Sequence, residues 1–140
     1  MTSSKEFYIS TDFDKMDISY IHKYLAEDSY WARGRTRELV VKSMQNSICF
    51  GVFDFNHKQI GFARITTDFV VFAWLMDVFI DESYRGKGVG KMLMNYILNY
   101  PELLGIKGIG LKTKDAHGLY EKFGFNIIED PEAWMYRKTP

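Results

Sequence analysis

Apolar and polar residues follow two rhythms along this chain, period two and period 3.6, and the switches between them mark its elements. Residues 7–10 read as a short strand. Asp17 stands where it can cap a helix to about residue 29, with Ile18, Ile21 and Leu25 on one face. A polar break, Trp31-Ala32-Arg33-Gly34-Arg35, precedes Thr36, which can cap a second helix with Leu39, Val40 and Met44 facing inward. Strands at 48–55 and 59–66 flank the turn residues Asn56-His57-Lys58, a hairpin signature. A long apolar strand covers 70–80. The clearest helical stripe follows: Val89, Leu93, Tyr96, Ile97 and Tyr100, ended by Pro101. A strand at 106–111 leads to a short helix that Asp115 can cap and Gly124 can close. Strands at 125–128 and 134–137 are expected to complete the sheet. This order predicts a mixed α/β domain with a mostly antiparallel sheet of about seven strands and about four helices.

Between the long strand and the striped helix lies Arg85-Gly86-Lys87-Gly88-Val89-Gly90. Glycines at alternate positions let a ligand approach the main chain, and amides at a helix start attract an anion. Arg85, Lys87 and Lys91 add charge of the matching sign. A Walker loop is excluded because Lys87 is followed by Gly88, not Ser or Thr. The dinucleotide spacing G-x-G-x-x-G is excluded because position 91 is lysine. A diphosphate-bearing cofactor is the first hypothesis, and a plain strand-to-helix turn is the alternative.

Composition narrows the classes. At 140 residues, 46% hydrophobic and 16% aromatic, the chain has the length and apolar content of one folded domain over 1–140. Eighteen basic residues balance eighteen acidic ones, which argues against general nucleic-acid binding. Cys49 is the only cysteine, so no intrachain disulfide can form; this favours a reducing, cytoplasmic setting and a core role for that side chain. The start of the chain is polar, and the longest apolar run is too short for a bilayer, so neither a signal core nor a membrane span is expected. No Cys/His cluster calls for a metal.

Taken together, these residues resemble the GNAT superfamily of acyl-CoA-dependent N-acetyltransferases from about residue 7 to residue 137. Arg85, Gly88 and Gly90 fit its loop pattern of Gln or Arg, two residues, Gly, one residue, Gly or Ala. Val78-Phe79-Ile80-Asp81-Glu82-Ser83-Tyr84 looks like its cofactor strand and approach. Leu119-Tyr120-Glu121-Lys122-Phe123-Gly124-Phe125 resembles its second signature, and Gln59-Ile60-Gly61-Phe62-Ala63-Arg64 its third strand.

The resemblance implies acetyl-CoA as cofactor, with its pyrophosphate on the amides of Gly86, Lys87, Gly88, Val89 and Gly90 and its pantetheine beside Val78, Phe79 and Ile80. It implies a gap next to that strand, often aided by a bulge. Tyr120 matches the family's phenolic acid, which protonates the leaving sulfur; a core aromatic is the competing reading. Many members carry asparagine where this chain has Thr113, a departure on the cofactor's other side. Asp77 is the one charge in a buried-looking run. It can bind the substrate ammonium or relay its proton, or it can form a structural salt bridge or capped turn. His117 and Glu82 read as solvent-facing. Tyr30, Trp31 and Arg33, with Arg35, fall where the family shapes its acceptor site.

The expected function is acetyl transfer from acetyl-CoA to a small molecule's primary amine. A protein or peptide acetyltransferase and a non-catalytic CoA-binding regulatory module are the alternatives. A homodimer through an edge strand near the C-terminus is allowed for.

Overall fold

A computed structural model of the protein describes residues 6–140; the polar start of the chain otherwise lies outside the described residues. Its frame is a five-stranded sheet in chain order: β1 (Phe7–Ser10), β2 (Ile48–Asp54), β3 (Gln59–Thr67), β4 (Phe72–Ile80) and β5 (Gly108–Leu111). The first four strands are antiparallel neighbours, and β5 joins β4 in parallel. His57 takes the left-handed conformation (φ 66°) that the β2–β3 hairpin needs.

Helix α1 (Ile18–Lys23) starts where the Asp17 side chain accepts from the Tyr20 amide. It runs on as a π turn over Tyr24–Asp28, closed by the Ser29 amide donating to the Tyr24 carbonyl. Helix α2 (Arg37–Gln45) is capped by Thr36, whose hydroxyl accepts from the Leu39 amide. Helix α3 (Val89–Leu98) carries the buried stripe Val89, Leu93, Met94 and Ile97. Helix α4 (His117–Glu121) is short and ends on Gly124 at φ 89°.

The sheet buries both faces. On one, Phe50, Val52, Ile60, Ala63, Ile65, Ala73 and Leu75 meet α3 and α4. On the other, Cys49, Phe53, Phe62 and Phe79 meet Ile21, Leu25, Val40 and Met44 of α1 and α2. Strand β4 changes faces part-way along. Phe62 pairs with Phe79 and Arg64 with Met76, so Asp77 and Val78 share the space opposite Ala63. That extra residue is a β-bulge, and Asp77 sits in it at φ 53°. A one-residue slip inverts the side chains beyond it. Ala73 and Leu75 therefore point toward α3, while Asp77 and Phe79 point toward α1 and α2. A regular strand would have driven the Asp77 carboxylate into the apolar α3 core.

Four expectations are corrected. The sheet has five strands rather than seven, because 125–128 and 134–137 find no strand to pair with. A C-terminal edge strand is therefore not available for a dimer; the edge is β5. Leu39 is 56% exposed, since the inward face of α2 is set by Val40 and Met44. Ala116, not Asp115, begins α4; its amide is held by the Thr113 hydroxyl at 3.1 Å. Among the described residues no helix is long and apolar enough to cross a membrane.

Candidate active site

The sheet opens between β4 and its edge strand β5. β5 follows β4 only from Phe72 to Leu75, where Leu111 is the last partner. Beyond that point β4 hydrogen-bonds to β3 on one edge and has no strand on the other. Among the described residues no strand takes the backbone donors and acceptors on that edge from Met76 to Ile80, where Arg85 Nε reaches the Ile80 carbonyl at 3.3 Å. Val78 and Ile80 line this stretch on the α3 side, whereas Phe79 is buried toward α1.

The free edge of β4 runs directly into the glycine loop. Gly86 and Gly88 take φ of 79° and 78°, left-handed values that other residues adopt at a cost. Gly88 is the N-cap of α3 and has no side chain to offer the helix. Among the described residues, no protein acceptor takes the amides from Gly86 to Lys91. A helix start normally has such donors capped or solvated. Here they form an open row with the positive end of α3 behind it. Gly90 has ordinary backbone geometry, and a Cβ added there would meet nothing within 4 Å. Neither conformation nor packing calls for glycine at that position.

Arg85 anchors the loop. Its Nη2 donates to the Tyr24 hydroxyl at 2.9 Å and its Nε to the Ile80 carbonyl at 3.3 Å. Tyr24 itself stacks on Phe79 at 3.9 Å with the rings 6° from parallel. Lys87 lies over the Tyr84 ring at 5.5 Å, and Lys91 is exposed.

Tyr120 comes from α4 and is 8% exposed, with Phe125 meeting it edge-on at 5.9 Å. Among the described residues its hydroxyl has no hydrogen-bond partner. Burial pushes the phenol up to about 12, and Tyr30 and Asp115 act in the same direction. The group therefore stays protonated through neutral pH. Thr113 spends its hydroxyl as acceptor for the Ala116 amide, and His117 is exposed.

The bulge residue organises the opposite side. Asp77 Oδ2 accepts from Arg64 Nε at 2.6 Å and from Arg35 Nη1 at 2.8 Å, while Oδ1 accepts from the Trp31 indole at 2.9 Å. Burial works against the charge; the two arginines, Arg64 foremost, outweigh it and hold the carboxyl below the usual carboxylate range. Arg64 is fully engaged, its Nη1 reaching Ser47 and its Nη2 the Met76 sulfur. Arg64 and Ser47 were not singled out from sequence. The signal for Arg64 was a second lone charge in an apolar strand, opposite in sign to Asp77. Tyr30 and Trp31 are about half exposed and meet edge-to-face at 5.1 Å. The Tyr30 hydroxyl accepts from the Lys114 amide, so the loop before α2 reaches across to the segment leading into α4. Arg33 is exposed and makes no side-chain contact of this kind among the described residues. Cys49 is buried and its thiol is pushed up to about 12 by burial, which leaves it inert.

Comparisons with known proteins agree with this architecture. The acetyltransferase (GNAT) domain family matches residues 45–127. An uncharacterized N-acetyltransferase, ycf52 of Pyropia yezoensis, is 28% identical over 92% of this chain and 74% of its own. A crystal structure of a candidate GNAT acetyltransferase from Xanthomonas campestris pv. campestris superposes with a TM-score of 0.91 at 39% identity, covering 96% of this chain and 94% of that one. A probable acetyltransferase of Staphylococcus aureus, 24% identical, shares the fold with a TM-score of 0.73 over 95% of this chain. The strand that parts from its neighbour, the uncapped glycine loop and the family match carry one conclusion: this chain belongs to the GNAT family of acetyltransferases.

Proposed function

We propose that the protein transfers acetyl from acetyl-CoA directly to the primary amine of a small molecule, the two substrates meeting in the cleft beside β4. Two features carry this reading: the edge of β4 beyond Leu75 that no strand pairs with, and the row of amides from Gly86 to Lys91 that, among the described residues, no protein acceptor takes. GNAT acetyltransferases use acetyl-CoA, and the residues present fit it: an extended arm with amides suits an unpaired strand edge, and a pyrophosphate suits an uncapped helix start. Bound acetyl-CoA supplies an activated acyl group. Val78 and Ile80 offer main-chain partners to the arm, while Phe79, in register with Phe62 of β3, holds the strand from the α1 side. Gly86, Lys87, Gly88, Val89 and Gly90 offer amides to the phosphates, with Arg85 and Lys91 adding charge. Thr113, occupied with the Ala116 amide, contributes to the cofactor's far side through the loop it holds.

Tyr120 Oη holds a proton that no partner among the described residues takes, and it would be free to give that proton to a departing thiolate. Asp77 we read as a positioning residue instead of a base. A carboxylate already taking three hydrogen bonds, and acidified by two arginines, has little affinity for an ammonium proton. It secures Trp31 and Arg35, and through Trp31 the Tyr30 ring, as the acceptor side of the cleft, with Arg33 exposed on the same loop. The amine's proton then leaves to water.

The test is thiol release from acetyl-CoA against a panel of small amines, with lysine peptides alongside. Turnover on a small amine is expected. Turnover confined to peptides would favour the protein-acetylating alternative, and tight CoA binding without thiol release on any amine would reduce the protein to a CoA-binding module.

A further inference from the structure

Asp77 holds two arginines, and they are not equivalent. Arg64 donates from Nε, Nη1 and Nη2 to Asp77, Ser47 and the Met76 sulfur, and its side chain is 9% exposed. Arg35 donates once, from Nη1 to Asp77, and its side chain is 24% exposed. Among the described residues its Nε and Nη2 reach no protein acceptor. Those two N–H groups lie side by side on one edge of the guanidinium plane, spaced to grip two oxygens of one anion. The backbone beneath is fixed. The Arg35 amide donates to the Ala32 carbonyl at 3.0 Å, and the His22 ring donates from Nε2 to the Arg35 carbonyl at 3.0 Å.

Charge on this side is uneven. One carboxylate faces two guanidinium groups, so the cluster carries one positive charge in excess. Arg33 is exposed on the same loop, and the Lys114 ammonium lies 5.5 Å from the Tyr30 ring centroid. Exposed Asp28 and Asp115 form no ion pair with these cations among the described residues. Asp77 already accepts three hydrogen bonds and has little to offer a second ammonium. Trp31 shares Asp77 with Arg35 and is 40% exposed, and Tyr30 packs edge-on against it. Tyr30 in turn is close enough to Tyr120 to push its phenol up. The open edge of Arg35 thus belongs to the acceptor side of the cleft.

We propose that the acceptor amine also carries an oxyanion, a carboxylate or a phosphate, which the Nε–Nη2 edge of Arg35 takes as a bidentate pair. This rests on acetyl transfer in the same cleft and names the class of the acceptor. The anion would neutralise the excess charge, and the carbon body of the acceptor would lie against the Trp31 ring. A diamine would bring its second ammonium to a cation and find no open carboxylate there.

Matched amines test this at equal concentrations of neutral amine: phenylalanine with phenethylamine, and phosphoethanolamine with ethanolamine. Thiol release should give the acid-bearing member of a pair a kcat/KM higher by roughly tenfold or more. A preference in the first pair assigns a carboxylate, in the second a phosphate, and in both either oxyanion. Parity or reversal in both pairs, or putrescine outrunning them all, overturns the inference and leaves acetyl transfer standing. Arg35→Gln should bring the favoured ratio down to roughly one. A general loss of structure would lower both members together, so an unchanged ratio also overturns the inference. Where that variant fails to fold, Arg35→Lys, which keeps the charge but not the fork, is expected to cut the ratio too. Calorimetry on the CoA-loaded protein reads the site without chemistry: hydrocinnamate or inorganic phosphate should bind, and hydrocinnamyl alcohol should not. Such binding without thiol release on any amine would keep the Arg35 anion site and sink acetyl transfer. Neither binding nor release overturns the inference.

Discussion

The two sides of the cleft are built in opposite ways. On the glycine-loop side, the main chain does the work and is left unfinished: a strand edge without a neighbour, then a row of amides without acceptors. On the Asp77 side, side chains do the work and the buried carboxylate has nothing left over: it takes an indole and two guanidinium groups. Unpaired backbone at a surface cleft costs little while water can solvate it, and a ligand can replace that water. An unpaired buried charge is far more costly. The glycine-loop side can therefore stay open, whereas the Asp77 side must be locked; in the proposed function these are the donor and acceptor sides.

The largest effect should come from unlocking it. Asp77→Ala leaves Arg64 buried without its partner, and breaking a buried pair costs about 3–5 kcal/mol. Denaturant unfolding would measure this, and a loss below about 1 kcal/mol would show that the cluster is not the frame of the acceptor side. Acid tests the same pair. The Asp77 carboxyl lies below its unfolded value, so its stabilisation is complete above roughly pH 4 and fades as pH falls through the lower folded value. Asp77→Asn should remove that acid-dependent component.

Tyr120→Phe is expected to separate chemistry from folding. The hydroxyl has no protein partner, so stability should hold, while turnover should drop by roughly a hundredfold or more if it is the acid. With the phenol pushed up to about 12, the wild-type rate should show no loss of the acid form below about pH 10. An unchanged rate in the variant would leave Tyr120 as a packing residue of the α3-side core.

Gly90→Ala sharpens the contrast at the donor side with the smallest perturbation. The added methyl meets no protein atom, and alanine is the better helix former by up to about 1 kcal/mol. Stability should rise slightly while CoA affinity, measured by calorimetry, falls by roughly tenfold. Unchanged affinity would mean that the cofactor does not cross the start of α3.

Much of this was legible in the chain. Asp17 and Thr36 cap helices from their own side chains, Gly86 and Gly88 supply positive φ, and the α3 stripe announces Val89, Leu93 and Ile97 as buried, because each of these is a local consequence of residue type; Tyr96, expected in that stripe, is exposed, and Met94 is buried instead. The GNAT signatures lie in such local segments, so the family was legible too. The C-terminal segment was misread for the converse reason. Residues 125–128 and 134–137 have strand-like composition, but a strand exists only when an edge accepts it.

What sequence alone determined is one half of the molecule: a long apolar strand, a glycine turn and a striped helix in succession. Tertiary structure decided the rest. Nothing near Asp77 signals that it will adopt a left-handed bulge, turn β4 onto its other face and meet Arg64 of β3 together with Trp31 and Arg35 of the loop before α2. Nor does any local pattern say that β5 will part from β4 after Leu75. Caps, turns and stripes are settled within a few residues; pairing partners, faces and ion pairs are settled by whichever distant segments the packed core brings alongside.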